Sequence, residues 1–265
     1  LKFLNKLLSV TENTSSLIIE EYYGNEVGEF TIEGAVTIGL FEDMRDKIES
    51  IIKLIDSKHY PGIESISRGV VEIYFYMHVI LSKEHSIYCR SYYVDQKLKD
   101  VKFFNKLLDK SPKGNNLRNL LNKNIKDIQE DKKKFGDPAE IKKDLLENYS
   151  DVFEKRKERD NWYNLDGRSN NLHDLCVNKL DKEAEYELIY RVLSSEIHAQ
   201  GVLTNWEFKK NEAKLKTSSN NYDMVINTIG LFFLEIIRRI YDFYGFTKEL
   251  KDINTNLRIN YKFLQ

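Results

Sequence analysis

The segment Ile63–Ser82 carries apolar side chains on almost every face, with Val70, Val71, Ile73, Phe75, Met77, Val79, Ile80 and Leu81 along it. A helix that is apolar all round has to be buried on most sides, and burying it takes other helices packed around it. Two further runs meet that need. Tyr222–Tyr244 is the second very apolar stretch, with Ile226, Ile229, Phe232, Phe233, Ile236, Ile237 and Ile240. Thr31–Ser57 keeps a 3.6-residue period through Ile38, Phe41, Met44, Ile48, Ile51, Ile52 and Ile55 before Pro61-Gly62 stops it. Only 3 prolines occur in 265 residues, which leaves room for long uninterrupted helices. Alternation of apolar and polar residues persists only around Leu17–Tyr22. The expected fold is therefore all-α, a helical bundle. It is read as a single domain over 1–265, with a bundle core from 30–110 and 160–245 and a projecting basic helical arm from 112–160.

The remaining elements follow from local signals. Phe3, Leu4, Leu7 and Leu8 predict a short amphipathic helix over residues 1–10, and Gly24–Gly28 predicts a break. A helix is expected from Glu84 to Lys110, then a turn at Ser111-Pro112-Lys113-Gly114 and a polar helix from Asn115 to Lys134. Phe135-Gly136-Asp137-Pro138-Ala139-Glu140 is a stop-and-restart signal, with Gly at the C-cap, Asp at the N-cap and Pro at N1. The next helix is read to about Arg159. Residues 161–168 form a loop anchored by Trp162, Ser169 caps a short helix through Val177, and 200–220 is a polar loop interrupted by Trp206 and Phe208.

Charge and cysteine content narrow the function. The formal net charge of −1 does not mark the whole molecule as a nucleic-acid binder. Its distribution is uneven: residues 1–50 carry 4 Lys/Arg against 10 Asp/Glu, and 97–134 carry 12 against 5. The basic stretch either faces an anion or is a solvated helix face. Cys89 and Cys176 match no metal or redox spacing, and the five His form no metal motif, so neither a metal nor a cofactor is expected. No apolar run reaches membrane-spanning length and the first residues lack a signal-peptide pattern, so a cytoplasmic protein is expected.

The strongest chemical pattern lies in Asp181–Ala199, a run without Gly or Pro in which Asp181 is the expected N-cap. On a regular α-helix, Arg191 and His198 fall within about 20° of each other. Ser194 and Ser195 lie between them, Glu187 shares the polar face, and Tyr186, Ile189, Leu193 and Ile197 gather on the opposite one. A guanidinium fork two turns from an imidazole suits a phosphate. It equally suits an ion-pair or capping role. A serine nucleophile based on Ser194 or Ser195 lacks visible oxyanion donors. Upstream, Arg68 and Glu72 stand four apart inside the apolar run and are expected to pair, at least half buried.

These pieces resemble domain-of-unknown-function family 5677, an all-helical group related to the HEPN (higher eukaryotes and prokaryotes nucleotide-binding) superfamily. The resemblance rests on Arg68-x3-Glu72, on Trp162, and on Tyr186, Tyr190, Arg191, Ser194 and His198 in the same order, and covers roughly residues 35–210. It implies a HEPN-like bundle and a metal-independent endoribonuclease, a toxin or anti-phage effector, acting on RNA as a homodimer and held by a regulatory partner protein. Arg191 and His198 would be catalytic through an Arg-x6-His motif, supported by Arg68, Glu72, Glu187, Tyr190, Ser194 and Ser195. The residue after the Arg, often polar in active HEPN nucleases, is Val192. The competing expectation is a non-catalytic helical module that binds a partner protein or a nucleotide.

Overall fold

The computed structural model describes residues 1–23, 31–60, 62–190, 206–210, 212–215 and 222–261. In chain order the helices are α1 (Lys2–Val10), α2 (Thr14–Ile18), α3 (Ile32–Asp56), α4 (Ile63–Ile80), α5 (His85–Leu108), α6 (Pro112–Leu120), α7 (Ile125–Phe135), α8 (Pro138–Asn148), α9 (Ser150–Lys155), α10 (Leu172–Leu175), α11 (Glu183–Glu185), α12 (Asp223–Phe243) and α13 (Thr247–Asn260). Widened π-type turns continue α2 through Ile19–Tyr23, α10 through Cys176–Leu180 and α11 through Tyr186–Tyr190. The strands β1 (Trp206–Lys209) and β2 (Glu212–Leu215) form one antiparallel hairpin. Among the described residues the fold is all-α apart from that hairpin. It divides into two compact units, residues 1–85 with 179–265, and residues 86–178.

In the first unit α4 is the central element, packed against α3, against α12 and against the turn Tyr186–Tyr190. Its Val70, Val71, Tyr74, Phe75, Met77 and Ile80 are buried. Phe41 of α3 meets Phe233 of α12 at 6.0 Å between ring centroids, and Tyr74 stacks on Phe232 at 4.1 Å. α1 buries Leu4 and Leu7 and packs on α3 and α12. Thr31 starts α3 by accepting from the backbone N–H of Gly34 at 3.2 Å.

In the second unit the local signals at 135–140 act as expected: Gly136 takes a positive φ of 98°, and Asp137 caps α8 by accepting from the N–H of Ala139. Four expectations are corrected. Ser111-Pro112 is a helix start, with Ser111 as N-cap and Pro112 at N1 of α6. The single helix expected over 115–134 is two, because Asn122 adopts a left-handed φ of 52° and Asn124 forms a reciprocal capping box with Asp127. The helix read to Arg159 stops at Asn148 and restarts as α9, ending where Arg156 turns extended. Asn171, not Ser169, caps α10.

Three more corrections lie in the first unit. The polar loop at 200–220 contains the hairpin, with Trp206 opposite Leu215 and Phe208 opposite Ala213. The alternating stretch Leu17–Tyr22 is helical, and α13, not anticipated, buries Ile253 and Leu257 one turn apart.

Two glycines separate close packing from backbone cost. A Cβ at Gly114 would lie 2.1 Å from the carbonyl oxygen of Asp109, whereas one at Gly39, mid-α3, meets nothing within 4 Å. Gly114→Ala should lose about 1–3 kcal/mol by overpacking, and Gly39→Ala should gain about 1 kcal/mol from helix propensity. Urea unfolding of both variants checks this, and equal shifts would contradict the close approach of Gly114 to the Asp109 carbonyl.

Candidate functional site

The spacing of Arg68 and Glu72 places both on one edge of α4, with Arg68 Nε 3.2 Å from Glu72 Oε1. Both side chains are largely covered, at 23 and 31 % exposure. Tyr190 closes the pair into a triad. Its hydroxyl accepts from Arg68 Nη2 at 2.5 Å and donates to Glu72 Oε1 at 2.8 Å. The guanidinium carbon also stands 4.8 Å from the centre of the Tyr190 ring. Burial pushes the Tyr190 phenol up to about 12, with Glu72 adding to the effect and Arg68 opposing it. A neutral phenol can donate and accept at once, which is what a bridge between a cation and a carboxylate requires. Burial acts to lower the Arg68 guanidinium, but the bond to Tyr190 and the nearby carboxylate of Glu72 overrule it and leave it raised.

Tyr190 reaches this position through the widened turn Tyr186–Tyr190, in which the Tyr186 and Tyr190 rings stack at 5.0 Å. Single π-type turns of this kind recur at functional sites. Asp181 is not the cap expected from the sequence: its φ of 53° is left-handed, and the cap position falls to Lys182. Lys182 uses its side chain elsewhere. Its Nζ lies 3.1 Å from Glu185 and 3.3 Å from Glu235 Oε1, and 5.0 Å from the centre of the Tyr74 ring.

Glu235 is the hub of a second polar cluster, which sequence reasoning missed. It accepts from the Tyr74 hydroxyl at 2.6 Å and lies 3.1 Å from His78 Nε2. Burial would raise its carboxyl, but the nearby His78, the hydrogen bond from Tyr74 and the charge of Lys182 outweigh burial and hold it at about 2. Burial pulls His78 below its ordinary value and pushes Tyr74 well up. Two signals pointed here: Tyr74 and His78 sit one turn apart on α4, and Glu235 is the one acid in Leu231–Ile240.

Of the residues expected at the site, Arg68, Glu72 and Tyr190 come together and Glu187 lies partly buried on the same turn. Arg191, Ser194, Ser195 and His198 lie outside the described residues. Cys89 and Cys176 are both buried. Among the described residues no group of three His, Cys, Asp or Glu side chains is placed to hold a metal ion, and no helix is long and apolar enough to cross a membrane.

Residues 34–213 match the model of a family described as a family of unknown function, DUF5677. No curated protein and no solved structure matches the chain significantly.

Tyr190→Phe keeps the ring and its contact with the guanidinium but removes both hydrogen bonds to charged groups. It should lose about 1.5–3 kcal/mol in urea unfolding, with faster amide exchange over 183–190; unchanged stability would contradict the bridge. Glu235 predicts an acid limb. Its folded value of about 2 lies below the ordinary 4.5, so its stabilisation is complete above pH 4.5 and is lost as pH falls toward 2. The side chain is 40 % exposed, so solvent screening limits this contribution to on the order of 1–2 kcal/mol. Melts between pH 6 and 2.5 should show a steeper loss in the wild type than in Glu235→Gln.

Proposed function

Because the chain belongs to the DUF5677 family, whose function is unknown, its activity has to be read from its own side chains, and we propose that it is a metal-independent endoribonuclease of the HEPN type. The observation that supports this reading is the Arg68–Tyr190–Glu72 triad, which fixes the residue immediately preceding Arg191 against α4. Replacing a half-buried ionic network by apolar side chains is often neutral or stabilising. What such a network adds is a defined position for the segment it holds.

In this mechanism His198 takes the proton from the ribose 2′-hydroxyl. That oxygen attacks the adjacent phosphorus while Arg191 stabilises the charge on the phosphorane oxygens. The bond to the 5′-oxygen breaks, the 5′-oxygen receives the proton that His198 took up, and the products carry a 2′,3′-cyclic phosphate and a 5′-hydroxyl. Ser194 and Ser195 lie between the two groups in sequence and would bind phosphate oxygens. Tyr190, Arg68 and Glu72 are positioning residues, and Glu187 supports the same turn. Two copies in a homodimer would share one cleft. A cytoplasmic toxin or anti-phage effector held in check by a regulatory partner protein is the setting such an activity fits.

The test is a gel of end-labelled RNA incubated in EDTA with the wild type, Arg191→Ala and His198→Ala, with melts in parallel. Cleavage should fall by about 10²–10⁴ without His198 and by about 10²–10³ without Arg191, at unchanged melting temperature and with cyclic phosphate ends on the wild-type products. Absence of cleavage by all three proteins overturns the reading in favour of a binding module. Equal cleavage by all three identifies a contaminant.

A further inference from the structure

The two units carry opposite charge. Residues 86–178 hold 20 Lys/Arg against 16 Asp/Glu, and the rest of the chain holds 21 against 26. On the basic unit, α5, α8 and the loop 157–161 surround a cleft of about 740 Å³. Lys99 and Lys102 line it from α5, Lys142 from α8, and Lys157 and Arg159 from the loop. Two of these cations are already paired, Lys99 with Asp95 at 2.8 Å and Lys142 with Glu158 at 2.7 Å. Lys102, Lys157 and Arg159 are exposed and have no carboxylate partner among the described residues.

The loop that carries two of them is held from beneath. Arg156 is 4 % exposed. Its Nε donates to Ser91 Oγ at 2.9 Å, its Nη1 donates to the carbonyl of Asp160 at 2.8 Å, and its Nη2 lies 3.8 Å from Asp95 Oδ1. Ser91 Oγ in turn donates to the carbonyl of Trp162 at 2.6 Å, and the N–H of Lys157 donates to Asp160 Oδ2 at 3.0 Å. A guanidinium this deep is tolerated only because backbone and hydroxyl oxygens receive its N–H groups. Those oxygens belong to α5 and to the loop itself, so the buried charge fixes the loop that presents Lys157 and Arg159. Asp160 is thereby occupied by the loop's own backbone. No aromatic ring is among the lining residues, so the cleft offers cations rather than a stacking platform.

We propose that this cleft binds the phosphate backbone of single-stranded RNA. The cations stand on three separate segments around a space far larger than one phosphate, which suits a strand passing through. Recognition through phosphates carries no sequence information of its own and so is tolerant of sequence. That the polyanion is RNA rests on the ribonuclease reading above; the charge and the fixed loop do not depend on it.

The experiment measures anisotropy of a labelled single-stranded RNA with full-length His198→Ala protein, which leaves the probe intact, across a salt series. In that background Lys102→Gln, Lys157→Gln and Arg159→Gln are combined. The control combines Lys113→Gln, Lys126→Gln and Lys133→Gln, exposed positions of the same unit outside the cleft. Loss of three phosphate contacts should lower affinity on the order of 10- to 100-fold near 0.1 M salt and reduce the log–log salt slope by about 2. The control should stay within about threefold, and all melting temperatures should match. Equal effects of the two triples would overturn the cleft, as would displacement of RNA by polyglutamate as effective as by unlabelled RNA. In the catalytically intact chain the cleft triple should raise KM and leave kcat. Cleavage with unchanged KM would sink the cleft and spare the ribonuclease; cleft-dependent binding by a chain that never cleaves would do the reverse.

Discussion

The burial of α4 is the constraint on which the larger unit depends. α3 and α12 cover most of its surface, and the charged groups left on it are costly without partners. Arg68 and Glu72 stand on one edge, Tyr74 and His78 on another, and the segment 182–190 reaches both. Lys182 stands over the Tyr74 ring and beside Glu235, and Tyr190 bridges Arg68 to Glu72. Within the described residues this segment is three helical residues and one π-type turn, packed on α4 through that turn. Its position is dictated by the polar edges of α4, which makes those edges the origin of the geometry preceding Arg191.

The long helices were legible because their signal is redundant. Thr31–Ser57 was read and Ile32–Asp56 observed, with the same Ile48, Ile51 and Ile52 buried; Tyr222–Tyr244 was read and Asp223–Phe243 observed. Where one residue decides, periodicity misled. The apolar stripe from Leu117 to Ile128 runs straight through a break made by Asn122 in the left-handed region and by the Asn124–Asp127 capping box. Asp181 has cap chemistry, yet its backbone is left-handed, a state Asp tolerates better than most residues. The hairpin was hidden by its length: four residues a side leave only two apolar positions on each strand, Trp206 and Phe208 opposite Leu215 and Ala213.

The site was legible in part and for the same reason. Arg68 and Glu72 were found because a charged pair in an apolar run demands a partner. That Tyr190 is the third member could not be read from a regular helical wheel, since the turn Tyr186–Tyr190 is wound more loosely than an α-helix. The Glu235 cluster joins residues of α4, α12 and the segment before α11 that lie far apart in sequence. No spacing rule connects them. The buried Arg156 was invisible too, because its acceptors are mostly backbone carbonyls, which the sequence does not distinguish.

The division of charge between the units bears on how an RNA-cleaving chain of this kind would work. Arg191 and His198 belong to the unit with the acidic excess, which by itself repels a polynucleotide. In the proposed ribonuclease, affinity would then have to come from positive charge elsewhere in the chain, and residues 86–178, an insertion into the acidic unit's sequence, carry an excess of it. Gathering those lysines around the imidazole instead would have a chemical cost. Neighbouring cations disfavour the protonated form and push a histidine down, away from the near-neutral range in which it both takes and gives a proton. Under the proposed function, carrying phosphate affinity on one unit and proton transfer on the other would let each be set without disturbing its partner.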